Sequence, residues 1–164
     1  MGFDHVLTAP LFAPGREDDL FLTGDHDKVH PALHQSLSAD DVVAEFAESC
    51  RKYGLNLLVD VVLGRIAPDA TLAASDANWF HRSDFAGRVD PRSPLRRPDA
   101  AYARFDDLVI AQELAAWWVD RLVRLARAGA AGFRCTEPQL VPARVWRHVI
   151  ASVWQSCPDC CFLA

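Results

Sequence analysis

Apolar positions along this chain fall into two rhythms. Residues 55–63 are Leu or Val everywhere except Asn56 and Asp60, and a run this short and rich in β-branched residues predicts a strand buried on both faces of a parallel sheet. Its one charge, Asp60, lies near the C-terminal end, where open α/β sheets and β/α barrels place their ligand-binding loops. Residues 2–10 read as an earlier strand, with Phe3, Val6 and Leu7 apolar and Pro10 ending it. Residues 130–135 and 161–164 read as two later strands.

The other rhythm is helical. Ser38-x-x-Asp41 resembles a capping box, and Val42, Phe46, Cys50 and Tyr53 form one stripe that stops at Gly54. Residues 108–128 place Ile110, Leu114, Trp117, Trp118, Leu122 and Leu125 on one broad stripe that stops at Gly129. At that spacing the two tryptophans read as core rather than as sugar-stacking platforms. Pro142 opens a third helix, near 142–156, with Val145, Trp146, Val149, Ile150, Val153 and Trp154 inward. Residues 11–37 and 64–107 keep neither period and read as long loops, the second as an excursion over the sheet or a lid. The order β, α, β, long loop, α, β, α, β, with right-handed crossovers, predicts an α/β fold whose four strands pair in parallel in sequence order.

Composition narrows the partners. With 164 residues and 51% hydrophobic content the chain can build one core. A net charge of −5 leaves no basic stripe for nucleic acid. No apolar run approaches the roughly 20 residues that cross a bilayer, so no membrane partner is expected. The N-terminal residues lack the basic and long apolar regions of a secretory signal, and the five cysteines are an odd number, so a reducing cytoplasmic location is expected.

Other candidate chemistry is weaker. Cys157-Pro158-Asp159-Cys160-Cys161 contains a CxxC pair, but a redox CxxC opens a helix after a strand, whereas this one closes a helix and leads into a strand. No second CxxC supplies further zinc ligands. His26, His30 and His34 fall at i, i+4, i+8, yet Pro31 argues against one helix through all three, so no metal site is expected. Arg82, Arg88, Arg92, Arg96 and Arg97 read as a solvated face, with sugar-phosphate contact as the alternative. No Gly-rich loop follows a strand, which sets aside a flavodoxin-like nucleotide binder; no cofactor is expected.

Three segments resemble the alpha-amylase superfamily, most closely its maltosyltransferases that extend α-1,4-glucan from maltose 1-phosphate. Met1-Gly2-Phe3-Asp4, with 9–16 and 24–33, is similar to that family's second barrel strand and the loop after it. Asp60-Val61-Val62, with Ala67-Pro68-Asp69 and Asn78-Trp79-Phe80-His81, is similar to the third strand and the start of the inserted loop domain. Gly132-Phe133-Arg134-Cys135 is similar to the fourth strand, which carries the nucleophile. The resemblance implies a partial (β/α)8 TIM barrel, comprising the second to fifth strands, with an irregular insertion at about 64–107.

By the same resemblance, Asp60 and Arg134 match the third-strand Asp and fourth-strand Arg. His30 stands where many members have Asp before the same Pro. Gly64-Arg65 replaces an Asn-His pair. His26, His30, Arg65 and Glu137 are the candidate substrate-binding positions. Retaining glucan chemistry needs a carboxylate nucleophile and a carboxylic acid. At the nucleophile position this chain has Thr136, a hydroxyl with no evident base. Glu137 is adjacent, but strand alternation directs it to the other face. The acid Glu is expected beyond Ala164. Two functions follow: a catalytically degenerate barrel module, which Thr136 favours, or part of an active retaining α-glucan transferase or hydrolase whose other strands lie elsewhere. The implied partners are an α-glucan or maltose-type sugar and the rest of the barrel or an adjacent domain.

Overall fold

In a computed structural model, residues 2–33, 36–75, 78–82 and 100–164 are described. The expected positions His34, Arg88, Arg92, Arg96 and Arg97 lie outside them. Four strands, β1 (His5–Thr8), β4 (Asn56–Val61), β8 (Ala130–Cys135) and β9 (Cys161–Leu163), form one sheet in the order β1-β4-β8-β9. All three pairings are parallel, so the central strand and the sequence-order pairing are as the pattern predicted. Between them run α1 (Ala39–Arg51), α3 (Leu108–Ala128) and α4 (Ala143–Ser156). Among the described residues, no helix is long and apolar enough to cross a membrane.

Strand alternation gives the sheet two unlike faces. Leu57, Val59, Val61, Phe133 and Cys135 face the core shared with Leu114, Leu122 and Val149 of the helices. Val59, Phe133, Leu114, Leu122 and Val149 are fully buried. The other face carries Leu7, Leu58, Asp60, Gly132 and Arg134, aligned by the registers Leu7↔Leu58, Leu58↔Gly132 and Asp60↔Arg134.

Helix ends follow local chemistry. The Ser38 hydroxyl accepts the Asp41 N–H, and the Asp41 carboxylate accepts the Ser38 N–H, both at 3.2 Å, which completes the capping box. The Asp107 carboxylate caps α3 by accepting the N–H groups of Val109 and Ile110. Gly129 closes α3 at φ 127°, and a Cβ there would lie 2.7 Å from that of Ala47. The small pair lets α1 approach the end of α3. It also corrects the stripe expected on α1: Val42, Val43, Ala47 and Cys50 are buried, whereas Phe46 and Tyr53 are exposed. On α4, Val145, Val149 and Val153 are buried and Trp154 faces outward.

The two expected loops contain short strands. β2 (Phe12–Pro14) pairs antiparallel with β3 (Thr23–Val29), with register shifts on either side of Ala13. Within 64–107, β7 (Ala101–Ala103) lies between β5 (Arg65–Ile66) and β6 (Phe80–Arg82) in a small antiparallel sheet, and α2 (Thr71–Ser75) precedes β6. Strands of two or three residues are too short to show a period of two.

Candidate functional site

The C-terminal ends of β4 and β8 bring the first candidates together. Arg134 Nε and Nη2 donate to the two carboxylate oxygens of Asp60, both at 2.6 Å, a bidentate charge-assisted pair. The Asp60 side chain is 1% exposed and that of Arg134 46%, so the pair has one buried and one wetted partner. Hydrogen bonding to Asp60 holds the Arg134 guanidinium above its ordinary pKa, and burial opposes this. Both Asp60 acceptors facing Arg134 are engaged, which suits a positioning or structural role better than proton transfer.

Thr136 follows immediately. Its N–H extends the ladder by donating to Val61 O at 2.9 Å. Its hydroxyl oxygen is buried and finds no hydrogen-bond partner among the described residues. Among the described residues no His or carboxylate is therefore placed to take its proton, and an alcohol without a base is a poor nucleophile.

Glu137 departs from the expected alternation because the strand ends at Cys135. Its backbone is left-handed, φ 50°, the residue stands before the 3-10 turn Pro138–Leu140, and its carboxylate lies 2.6 Å from Arg65 Nε. Arg65 is buried, on β5 just beyond β4. Two candidate substrate-binding residues thus engage each other as an ion pair. The left-handed backbone at Glu137 carries no sequence signal of the usual kind, since Gly or Asn would be the common choice there.

His26 and His30 sit elsewhere. His26, on β3, is buried in an aromatic cluster, with ring centroids 5.1 Å from Phe12, 5.2 Å from Trp117 and 5.4 Å from Trp118. Burial first, and then the nearby Arg121 charge, lower its pKa to about 3, so its imidazole stays neutral. Arg121 donates to His26 O and, at 2.7 Å, to Asp27, and its guanidinium lies 4.5 Å from the Trp117 ring centroid. That cluster was not visible in the sequence, where β3 reads as polar loop. The His30 Nδ1 accepts the Ala32 N–H at 3.1 Å, an interaction local to its own turn. Among the described residues, no group of three or more His, Cys, Asp or Glu side chains is arranged to hold a metal ion.

Comparison with known proteins agrees with the family resemblance. No protein-family model matches the chain. An alpha-1,4-glucan:maltose-1-phosphate maltosyltransferase of Burkholderia pseudomallei is 34% identical over 161 residues, covering 96% of this chain and 14% of the relative. A protein of the same name from Bifidobacterium longum is 30% identical over 185 residues, covering 99% of this chain and 24% of the relative. The chain thus spans about a seventh and a quarter of the length of these two relatives. Among solved structures, an alpha-amylase from Lactobacillus plantarum shares the fold with a TM-score of 0.78 at 17% identity, covering 98% of this chain and 37% of that one. A cyclomaltodextrinase does so at 0.68 and 19%, covering 98% and 29%. Sequence relatives and fold together place the chain in the alpha-amylase superfamily. Within it, the sequence is similar to the maltosyltransferases.

Proposed function

We propose that this chain is a (β/α)8 barrel segment, the second to fifth strands of the superfamily barrel, belonging to α-glucan metabolism and unable by itself to transfer glycosyl groups. Support for the segment comes from the four parallel strands in sequence order and from the match to little more than a third of an alpha-amylase. The link to α-glucan rests on the maltosyltransferase relatives.

The observation that carries the loss of catalysis is Thr136. At the position the resemblance assigns to the attacking carboxylate stands a buried hydroxyl without a partner among the described residues. The neighbouring carboxylate of Glu137 lies against the Arg65 guanidinium at 2.6 Å, a charge contact without hydrogen-bond geometry. Among the described residues, an oxocarbenium-like centre formed at this strand end would meet only the Asp60 carboxylate held by Arg134 and the Glu137 carboxylate set against Arg65. The chain incubated with maltose 1-phosphate and a maltooligosaccharide acceptor should release no phosphate and lengthen no glucan. Phosphate release by the unmodified chain, abolished in Glu137→Gln, would show that Glu137 has taken the attacking role and would overturn this reading.

A second reading, part of an active maltosyltransferase or hydrolase, draws on the intact Asp60–Arg134 pair, which holds its strand-end places as the family pattern does. Sequencing the coding region on both sides and assaying its full product separates the two. Activity of that product, lost when a carboxylate outside residues 1–164 is changed, would favour the second.

A further inference from the structure

At the opposite end of the sheet lies a cluster unconnected with Asp60 and Arg134. A cleft of about 400 Å³ opens at the N-terminal ends of the four strands and is lined by His5, Asn56, Cys157, Cys160 and Cys161, among others. All five cysteines are free thiols. We infer that Cys157 and Cys160 form a reversible dithiol site, which closes to a disulfide by exchange with a small-molecule disulfide entering this cleft.

Backbone geometry selects the pair. The Cys160 N–H donates to Cys157 O at 3.1 Å, with Pro158 and Asp159 as the central residues of the turn. A four-residue β-turn holds its end Cα atoms within about 7 Å, and disulfides need about 4.4–6.8 Å. Pro158 stands where a fixed φ of about −65° presets such a turn. Both ends are anchored: the Cys157 N–H donates to Val153 O at 2.8 Å, and the Trp154 indole N–H donates to Cys160 O at 2.7 Å.

Of the other thiols, Cys50 is buried on α1, and Cys161 lines the same cleft but is held in the strand. Cys161 pairs in register with Gly132, and a Cβ at Gly132 would lie 2.3 Å from the Cys161 sulfur, so only glycine leaves room for it. Cys135 is buried in the core beneath the helices.

Roles follow from exposure. Cys157 is half-buried on the cleft, whereas Cys160 is 6% exposed and its thiol is pushed up to about 12 by burial and by the neighbouring thiols. Cys157 is therefore the attacking thiol and Cys160 the resolving one. The Cys157 thiolate attacks one sulfur of the incoming disulfide and expels the other half as a thiolate, which takes up the proton Cys157 lost. Cys160 then attacks the Cys157 sulfur, expelling the second half, which takes up the Cys160 proton. The two cysteines are oxidised to one disulfide, and the reagent is reduced to two thiols. Because the motif follows the C-terminus of α4, no helix N-terminus stabilises the thiolate, and exchange should take minutes to hours.

The test uses the full chain, reduced and then incubated with oxidised glutathione, with linkages mapped by mass spectrometry. The expected product joins Cys157 to Cys160 with the loss of two hydrogens, opens on addition of dithiothreitol, and forms equally in Cys161→Ala. Cys160→Ala should instead accumulate glutathione on Cys157. A lasting glutathione adduct on the unmodified chain, a linkage through Cys161 or Cys135, or no reaction after a day would each overturn the inference. Mapping the unmodified chain decides the matter even where a variant fails to fold.

Discussion

The two faces of the parallel sheet differ in what they tolerate. Towards the helices, Leu57, Val59, Val61, Phe133 and Cys135 are apolar and almost wholly buried. On the other face the same two strands supply Asp60 and Arg134, opposite charges set side by side. Where α3 packs on β3, ionisable groups are taken in either neutral, as His26 against Trp117 and Trp118, or paired, as the buried Arg121 with Asp27. The sheet positions under the helices are kept apolar, whereas pairing and partial solvation accommodate opposite charges on the other face of the same strands.

The largest effect should come from the helix-covered side. Phe133→Ala empties a fully buried site and is expected to cost about 3–5 kcal/mol in urea unfolding. A cost below about 1 kcal/mol would mean that this face is not the packed one.

The charged face should respond asymmetrically. Arg134→Ala leaves the buried Asp60 carboxylate without its partner, at about 3 kcal/mol, whereas Asp60→Ala leaves an arginine that already reaches water, at about 1–2 kcal/mol. The double variant should be more stable than Arg134→Ala alone. Equal single costs in a double-mutant cycle would show that burial of Asp60 does not set the balance.

His26 sharpens the contrast through pH. Its folded pKa of about 3 lies below its ordinary 6.5, so between those values the unfolded chain binds a proton that the folded chain refuses. Stability should therefore fall as pH drops below about 6.5, with a limiting slope of roughly 1.4 kcal/mol per pH unit. Unfolding at pH 7 and pH 5, compared between the native chain and His26→Phe, checks this; the variant should lose most of the slope. A native chain as stable at pH 5 as at pH 7 would contradict it.

The smallest change belongs to the open face away from the pair. Leu7 is 37% exposed, and Leu7→Ser should shift stability by no more than about 1 kcal/mol. A much larger loss would show that Leu7 is packed against something.

Those elements that bury a continuous apolar face were legible from sequence. Residues 56–61 and 130–135 are mostly apolar, broken by Asn56, Asp60 and Arg134, and α3 keeps its stripe as far as the expected stop at Gly129. The β2 and β3 pair was not, because the buried positions of β3 include Thr23, Gly24 and His26, residues that hydrophobic periodicity does not score. On α1, Phe46 outscored Ala47 although close approach to Gly129 requires the smaller residue inside. At the strand ends, Asp60 and Arg134 were nameable from the family motif. The Arg65–Glu137 contact was not, because it depends on one left-handed residue that ends the strand alternation.

That second contact has a consequence for how ligands arrive. Asp60 with Arg134 and Glu137 with Arg65 are two anions and two cations, locked in pairs. Beyond the Debye length of about 8 Å at physiological ionic strength, these four residues carry no net charge between them. These four residues therefore add nothing to the long-range steering of a phosphorylated sugar, and any salt dependence of its encounter rate would reflect the chain's net charge of −5.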